Sequence, residues 1–333
     1  MKLAGQLLGF GLLLNTVAGC HGCDDEHEAI PPATRGVTPP PAPPIEPGPT
    51  EGHDALPLEH HVRLARGSRG LVWSAPNEDE LEHYGTWLSG VMKAAWSDRL
   101  PAVAPPPGFA GRLVRAGSLW MLTESPKRRR GSGLVIVRPS VAAPIIVEVP
   151  HSFFEPGTLE LGLAAFDVLD AKALLVNTMH RGGHGEAEER RRKALSGESP
   201  MDVAHSSKTF FARAHEILLG MDPELVVIQL HGFADTHAPG VQVIVSAALT
   251  VGKPEALADA LGSLLGRTAI RTYPDEIDSL GGTTNVQAKV SRRAKAPFYH
   301  VEMSATLRKR LESETAFRQR FAESLRQGVE NAR

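Results

Sequence analysis

Two cysteines in 333 residues, at Cys20 and Cys23, are too few and too close together for a disulfide framework. Aromatic residues make up only 5% and do not interleave with basic ones. With a formal net charge of -2, this excludes both a base-stacking platform and a basic nucleic-acid footprint, so no nucleic-acid partner is expected. There is no Gly-x-Ser-x-Gly elbow, which removes serine catalysis of the α/β-hydrolase kind. The run "GGHGEAEERRRK" lacks the Lys-Ser/Thr ending of a phosphate loop, and its part "EAEERRRK" at 186–193 is read as a solvated loop or short helix whose place between two strands would let it act as a lid. No internal repeat occurs, which excludes a solenoid. What remains, 42% hydrophobic and 22% charged, is ordinary globular material.

The N-terminus "MKLAGQLLGFGLLLNTVAGC" has one Lys, an apolar stretch too short to span a bilayer comfortably, and small residues up to Cys20. Its end, "VAGC", resembles the lipobox of bacterial lipoproteins. The resemblance implies a signal peptide over 1–19, lipidation of Cys20, and a membrane-anchored place in the bacterial cell envelope. An ordinary secretory signal with an incidental Cys is the alternative. Nine of the twenty residues from 31 to 50 are proline, so residues 20–56 read as a semi-rigid tether reaching about 90 Å at about 3 Å per residue.

From residue 57 to 333 the pattern is that of a single folded domain. "EDELEHYGTWLSGVMKAAW" has helical spacing, and "SLWMLTES" with "GSGLVIVRP" reads as a hairpin. Strands and helices then alternate: "PIIVEVP", "TLELGLAAFDVLDA", "KALLVNT", "SSKTFFARAHEILLGM", "ELVVIQLHG", "GVQVIVSAA" and "KPEALADALGSLLG". After "PFYHVEMS" a long helix is expected from about Ser304, with Leu307, Leu311, Phe321 and Leu325 on one face. This alternation predicts an α/β fold with a mixed, mostly parallel sheet and helices on both faces. Residues 57–110 fit either a separate subdomain or a flank of that sheet.

In open α/β sheets, ligands collect outside the carboxyl ends of the strands. Three polar groups of this chain fall at such ends: His151 with Glu155, His231, and Glu302. Two imidazoles and a carboxylate make a three-ligand catalytic zinc site, and a further carboxylate off the metal serves as general base. Pro156 favours an extended Glu155, on a loop before a helix capped by Thr158. Singly, a strand-end His is usually a satisfied structural group. His180 and Arg181 follow another strand end and line the cleft in this reading, whereas His184, His205, His215 and His237 read as surface or supporting groups.

The blocks "PHSFFEPGTLEL", "VVIQLHGFAD" and "FYHVEMSATLR" resemble the signature blocks of the zinc carboxypeptidase superfamily, nearest to its N-formylglutamate amidohydrolase and poly-γ-glutamate hydrolase branches. The resemblance implies one Zn2+ ion held by His151, Glu155 and His231, with Glu302 as general base. It also implies hydrolysis of an amide or peptide bond next to a carboxylate. Two departures stand out. Three residues separate the first two ligands where the carboxypeptidases have two, and "MDVAH" replaces the Asp-x-Asn-Arg segment of the amidohydrolases. Asp202 fits that segment, but His205 stands in place of its Arg, leaving Arg181, Arg292 or Arg308 to hold a substrate carboxylate. The missing Arg keeps a second reading open, a non-catalytic metal-binding or scaffold lipoprotein.

Overall fold

Short β-branched runs bounded by Pro, Gly, Asn and Asp punctuate the chain into strands, and the sheet they form is the frame of the molecule. The computed structural model describes residues 57–65, 74–97, 104–114, 119–125, 131, 133–139, 142–181 and 201–333, all within one unit spanning Ile45–Arg333. The expected leader, Cys20, the tether and the charged run 186–193 lie outside the described residues.

Nine strands are present: β1 (Phe109–Val114), β2 (Leu119–Glu124), β3 (Leu134–Val137), β4 (Ala143–Val149), β5 (Ala171–Val176), β6 (Val226–Phe233), β7 (Val243–Ser246), β8 (Ile270–Tyr273) and β9 (Phe298–Ser304). They form one sheet in the order β1-β2-β3-β5-β4-β6-β9-β7-β8. The centre, β5-β4-β6-β9, is parallel. The β2–β3 hairpin joins β5 antiparallel, and β7 joins β9 antiparallel while pairing β8 in parallel. The expected mixed α/β class is the observed one.

The helices are α1 (Leu58–Ala65), α2 (Glu78–Ala95), α3 (Thr158–Val168), α4 (Phe210–Met221), α5 (Pro254–Leu265), α6 (Val286–Ala294), α7 (Ala305–Ser313) and α8 (Thr315–Ala332). They divide between two cores. Alternate residues of the central strands (Val147, Ile228, Val301) pack with α3, α5, α7 and α8. The opposite set (Ile146, Val227, Phe298) packs with α2, α4 and α6. Because Leu88 and Met92 of α2 belong to this second core, residues 78–95 flank the main sheet rather than forming a separate subdomain. A capping box opens α2, with Glu80 N donating to Asn77 Oδ1 at 2.8 Å and Asn77 N to Glu80 Oε2 at 2.9 Å.

The single long C-terminal helix expected from Ser304 is in fact two. Glu314 is extended (φ -106°, ψ 92°) and separates α7 from α8. The four apolar residues expected on one face are nonetheless all buried. No helix among the described residues is long and apolar enough to cross a membrane.

Candidate metal centre

The end of β4 is pinned by its parallel neighbour. Asn177, just past β5, donates Nδ2 to Pro150 O at 2.8 Å, and Ser152 Oγ donates to Asn177 O at 2.7 Å. Glu155 lies, as expected, on the turn that precedes α3: Glu155 N donates to His151 O at 2.9 Å, which brings the His151 and Glu155 side chains together. The cap of α3 differs from expectation. Gly157 holds the N-cap position with φ 91°, and the Thr158 hydroxyl donates back to Glu155 O at 2.7 Å. A Cβ at Gly157 would lie 2.3 Å from Arg308 O, so both space and backbone angle call for glycine.

On the next strands, register does the assembly. His231 of β6 is paired with Glu302 of β9, and Gln229 with His300 one step earlier. Side chains in one row of a parallel sheet share a face, so these four polar groups emerge together at the carboxyl ends.

His151, Glu155 and His231 are all buried, with one ligand atom of each within 4.8 Å of the others. His151 Nδ1 lies 2.8 Å from Glu155 Oε1, and Nε2 lies 2.9 Å from Asp202 Oδ1. Glu155 Oε2 accepts from Gly232 N at 3.0 Å and stands 3.7 Å from His231 Nδ1. The His151 and His231 rings meet edge to face, with centroids 4.8 Å apart.

Electrostatics follow from this crowding. Burial would lower the His151 pKa, but the Glu155 charge and the Asp202 hydrogen bond raise it to about 9. Asp202, although buried, is held down to about 2 by its bond to His151 and by the charges of His151 and Arg181. Burial, then the charges of His300 and His151, push His231 well below its ordinary value. Glu302 rises to about 8 through burial and the nearby Glu155 carboxylate.

The three candidate substrate groups are not all free for substrate. Arg308 of α7 is buried and donates Nε to Met303 O (3.2 Å), Nη1 to Pro156 O (3.0 Å) and Nη2 to Phe233 O (3.3 Å). It is a strap joining β9, the β4–α3 turn and β6, because each of its three guanidinium nitrogens donates to a backbone carbonyl. Gly232 makes room for it, since a Cβ there would lie 2.0 Å from Arg308 Nε. Asp202 is also engaged within the site: its carboxylate meets His151 Nε2 and pairs with Arg181 Nη2. Arg181 is partly buried, its side chain 20% exposed, 3.9 Å from Glu155 Oε1 and stacked over Phe154 at 5.1 Å. Phe154, 48% exposed, also meets the His180 ring edge to face at 5.6 Å. His237 is exposed and His215 fully buried.

His300 was not foreseen as a site residue. Its ring lies 4.5 Å from that of His231, and its Nε2 is 3.8 Å from Glu302 Oε1. His231, His300 and Glu302 form a second group with metal-ligating atoms within 4.8 Å. Burial, then the charges of His151 and His205, lower the His300 pKa to about 3, with the Leu280 backbone acting the other way. Period-2 alternation in "FYHVEMS" was the available signal, since it puts His300 on the face of Glu302.

The residues fit a zinc ion. Two imidazoles and one carboxylate are the donor set of a catalytic site, and Asp202 and Gly232 N orient two of them from behind. Glu302 Oε2, beside them, is buried with no hydrogen-bond partner, which is costly for a purely structural carboxylate.

No family model matches this chain, and no curated protein matches it. Among solved structures it is similar to a bacteriophage poly-gamma-glutamate hydrolase, with TM-score 0.40 and 16% identity over 60% of this chain and 89% of that one. N-formylglutamate amidohydrolase from Ralstonia eutropha gives TM-score 0.35 and 16% identity over 60% of this chain and 100% of that one. A metallo-carboxypeptidase from Pseudomonas aeruginosa, in complex with (2-guanidinoethylmercapto)succinic acid, gives TM-score 0.34 and 15% identity over 62% of this chain and 63% of that one.

Proposed function

We propose that this chain is a zinc-dependent hydrolase of the bacterial cell envelope, anchored through lipidated Cys20, that cleaves an amide or peptide bond next to a substrate carboxylate. The observation that carries the reading is the convergence of His151, Glu155 and His231 beside a fourth buried group, Glu302, whose Oε2 has no hydrogen-bond partner, at the carboxyl ends of parallel strands. Bound zinc supplies Lewis-acid polarisation of the scissile carbonyl. His151, Glu155 and His231 would hold the ion, His151 with Nδ1, the nitrogen that faces Glu155 rather than Asp202. Glu302 takes the proton of the attacking water and returns it to the leaving amine, a role suited to a carboxylate whose pKa is raised toward 8. Arg181, which pairs with Asp202 and lies over Phe154, is assigned to meet the substrate carboxylate.

A metal-binding scaffold without turnover is the second reading, favoured by the engagement of Arg308 with backbone carbonyls. A screen of γ-glutamyl, formylated and peptidoglycan amides bearing a free carboxylate separates the two. Hydrolysis that stops on chelation and falls at least ~100-fold in Glu302→Gln supports the enzyme. Zinc binding with no turnover of any substrate supports the scaffold. Loss of acyl labelling in Cys20→Ser tests the anchor, and equal labelling of variant and wild type refutes it.

A further inference from the structure

A buried polar chain runs behind His231, from β4 to α6. His231 Nε2 lies 2.7 Å from Gln229 Oε1, and Asn285 Nδ2 donates to the same oxygen. Three neighbours fix which end of the Gln229 amide faces His231. Asn285 caps α6, its Oδ1 accepting from Gln287 N at 2.9 Å and Ala288 N at 3.1 Å, so its NH2 end must face Gln229. On the other side, Glu148 Oε2 stands 2.8 Å from Gln229 Nε2, while its Oε1 meets His215 Nδ1 at 2.7 Å. Gln287 donates Nε2 to Val203 O at 2.8 Å, which turns its Oε1 toward Gln229 Nε2 at 3.5 Å. Each contact independently requires oxygen on the His231 side.

That oxygen only accepts, so His231 Nε2 must carry the hydrogen and Nδ1 alone keeps a lone pair. Glu148, Gln229, His215 and Gln287 are fully buried, so no water replaces a misplaced partner and a flipped amide leaves clashing or unsatisfied groups.

We propose that Gln229, held by Glu148 and Asn285, is a positioning residue that locks His231 in its Nε2–H tautomer, so that the centre takes one ion although two donor groups share His231. The proposal rests on the zinc reading above. An ion between His231, His300 and Glu302, in addition to one at His151 and Glu155, would need both His231 nitrogens as ligands. That would require loss of the Nε2 proton together with its bond to Gln229.

The test uses the full chain with histidine labelled at its ring nitrogens, made metal-free by chelation, and read by nitrogen NMR at pH 7. His231 is assigned by the signals lost in His231→Asn. The wild type is expected to show Nε2 protonated and Nδ1 bare. Gln229→Met, similar in shape but unable to accept, is expected to show mixed tautomers and about 10- to 100-fold weaker zinc binding. Gln229→Glu keeps an acceptor opposite Nε2 and is expected to keep the tautomer. Stoichiometric titration of the wild type should end at one zinc per chain. Protonated Nδ1 in the wild type, an unchanged tautomer and affinity in Gln229→Met, or uptake of two ions each overturns the proposal. A wild type with the Nε2–H tautomer that binds no zinc supports the lock and counts against the zinc reading, so the two failures are distinct.

Discussion

The two faces of β4, β6 and β9 are built from the same three strands and have opposite characters. One face presents Ile145, Val147 and Val149, then Val226, Ile228 and Leu230, then Tyr299, Val301 and Met303, and is apolar along its whole length. The other begins apolar, with Ile146, Val227 and Phe298, and turns polar toward the carboxyl ends with Glu148, Gln229, His231, His300 and Glu302. Both faces are buried. The first gains its stability from area removed from water, the second from partners that each polar group must find. Buried polar groups that keep an unmet valence, as Glu302 does, are therefore where function is to be sought.

The largest expected effect breaks the apolar face. Phe166→Ala, at a fully buried position, should lower stability by about 3–5 kcal/mol, read as a fall in melting temperature, and should leave zinc stoichiometry intact wherever the chain remains folded. A loss below about 1 kcal/mol would mean that this face is not the main core.

The strap that joins the two characters comes next. Arg308→Met should cost about 2–3 kcal/mol, since the carbonyls of Pro156, Phe233 and Met303 lose a charged donor in a buried setting. If Arg308 held substrate instead, the variant would raise KM while leaving the melting temperature in place.

The pH response separates the faces more finely, because only the polar one titrates. Zinc requires neutral His151, which in the metal-free protein keeps its proton up to about 9. Zinc affinity should therefore rise with pH between 7 and 9 by about one decade per unit, releasing about one proton per ion. The metal-free fold should move the opposite way. His151 and Glu302 both have folded-state pKa values raised above their ordinary ones, so their contributions are lost as pH rises through about 9 and about 8. Calorimetric titration in two buffers of different protonation enthalpy checks the first, and melting of the chelated protein at pH 7 and 9 checks the second. A flat profile in both would contradict the charged cluster. The smallest effect touches neither face: deletion of residues 31–50 should leave the melting temperature unchanged within about a degree, because a proline-rich tract buries little.

Much of this arrangement was legible in the sequence. His151, His231 and Glu302 could be placed because apolar runs end at them, and their strands and α3 fall where the patterns put them. Local patterns did not reveal the partners that long-range packing supplies. The contact between Arg308 and Pro156 spans 152 positions, and nothing near Arg308 in the chain announces it. His300 carried a signal, alternation with Glu302, that a reading focused on strand ends passes over. The break at Glu314 has neither Pro nor Gly to mark it, and β1, β8 and α1 lack a periodic pattern strong enough to stand out. The contact between Asp202 and His151 spans 51 positions and has no local signal either.

The central claim is that the polar face holds a zinc ion through His151, Glu155 and His231, with Glu302 beside it but not bound to it. Elemental analysis of the purified protein tests this directly. The account predicts one zinc per chain in the wild type and in Glu302→Gln, and loss of most of it in both His151→Ala and His231→Ala. Full zinc in the two histidine variants, or its loss in Glu302→Gln, would contradict it.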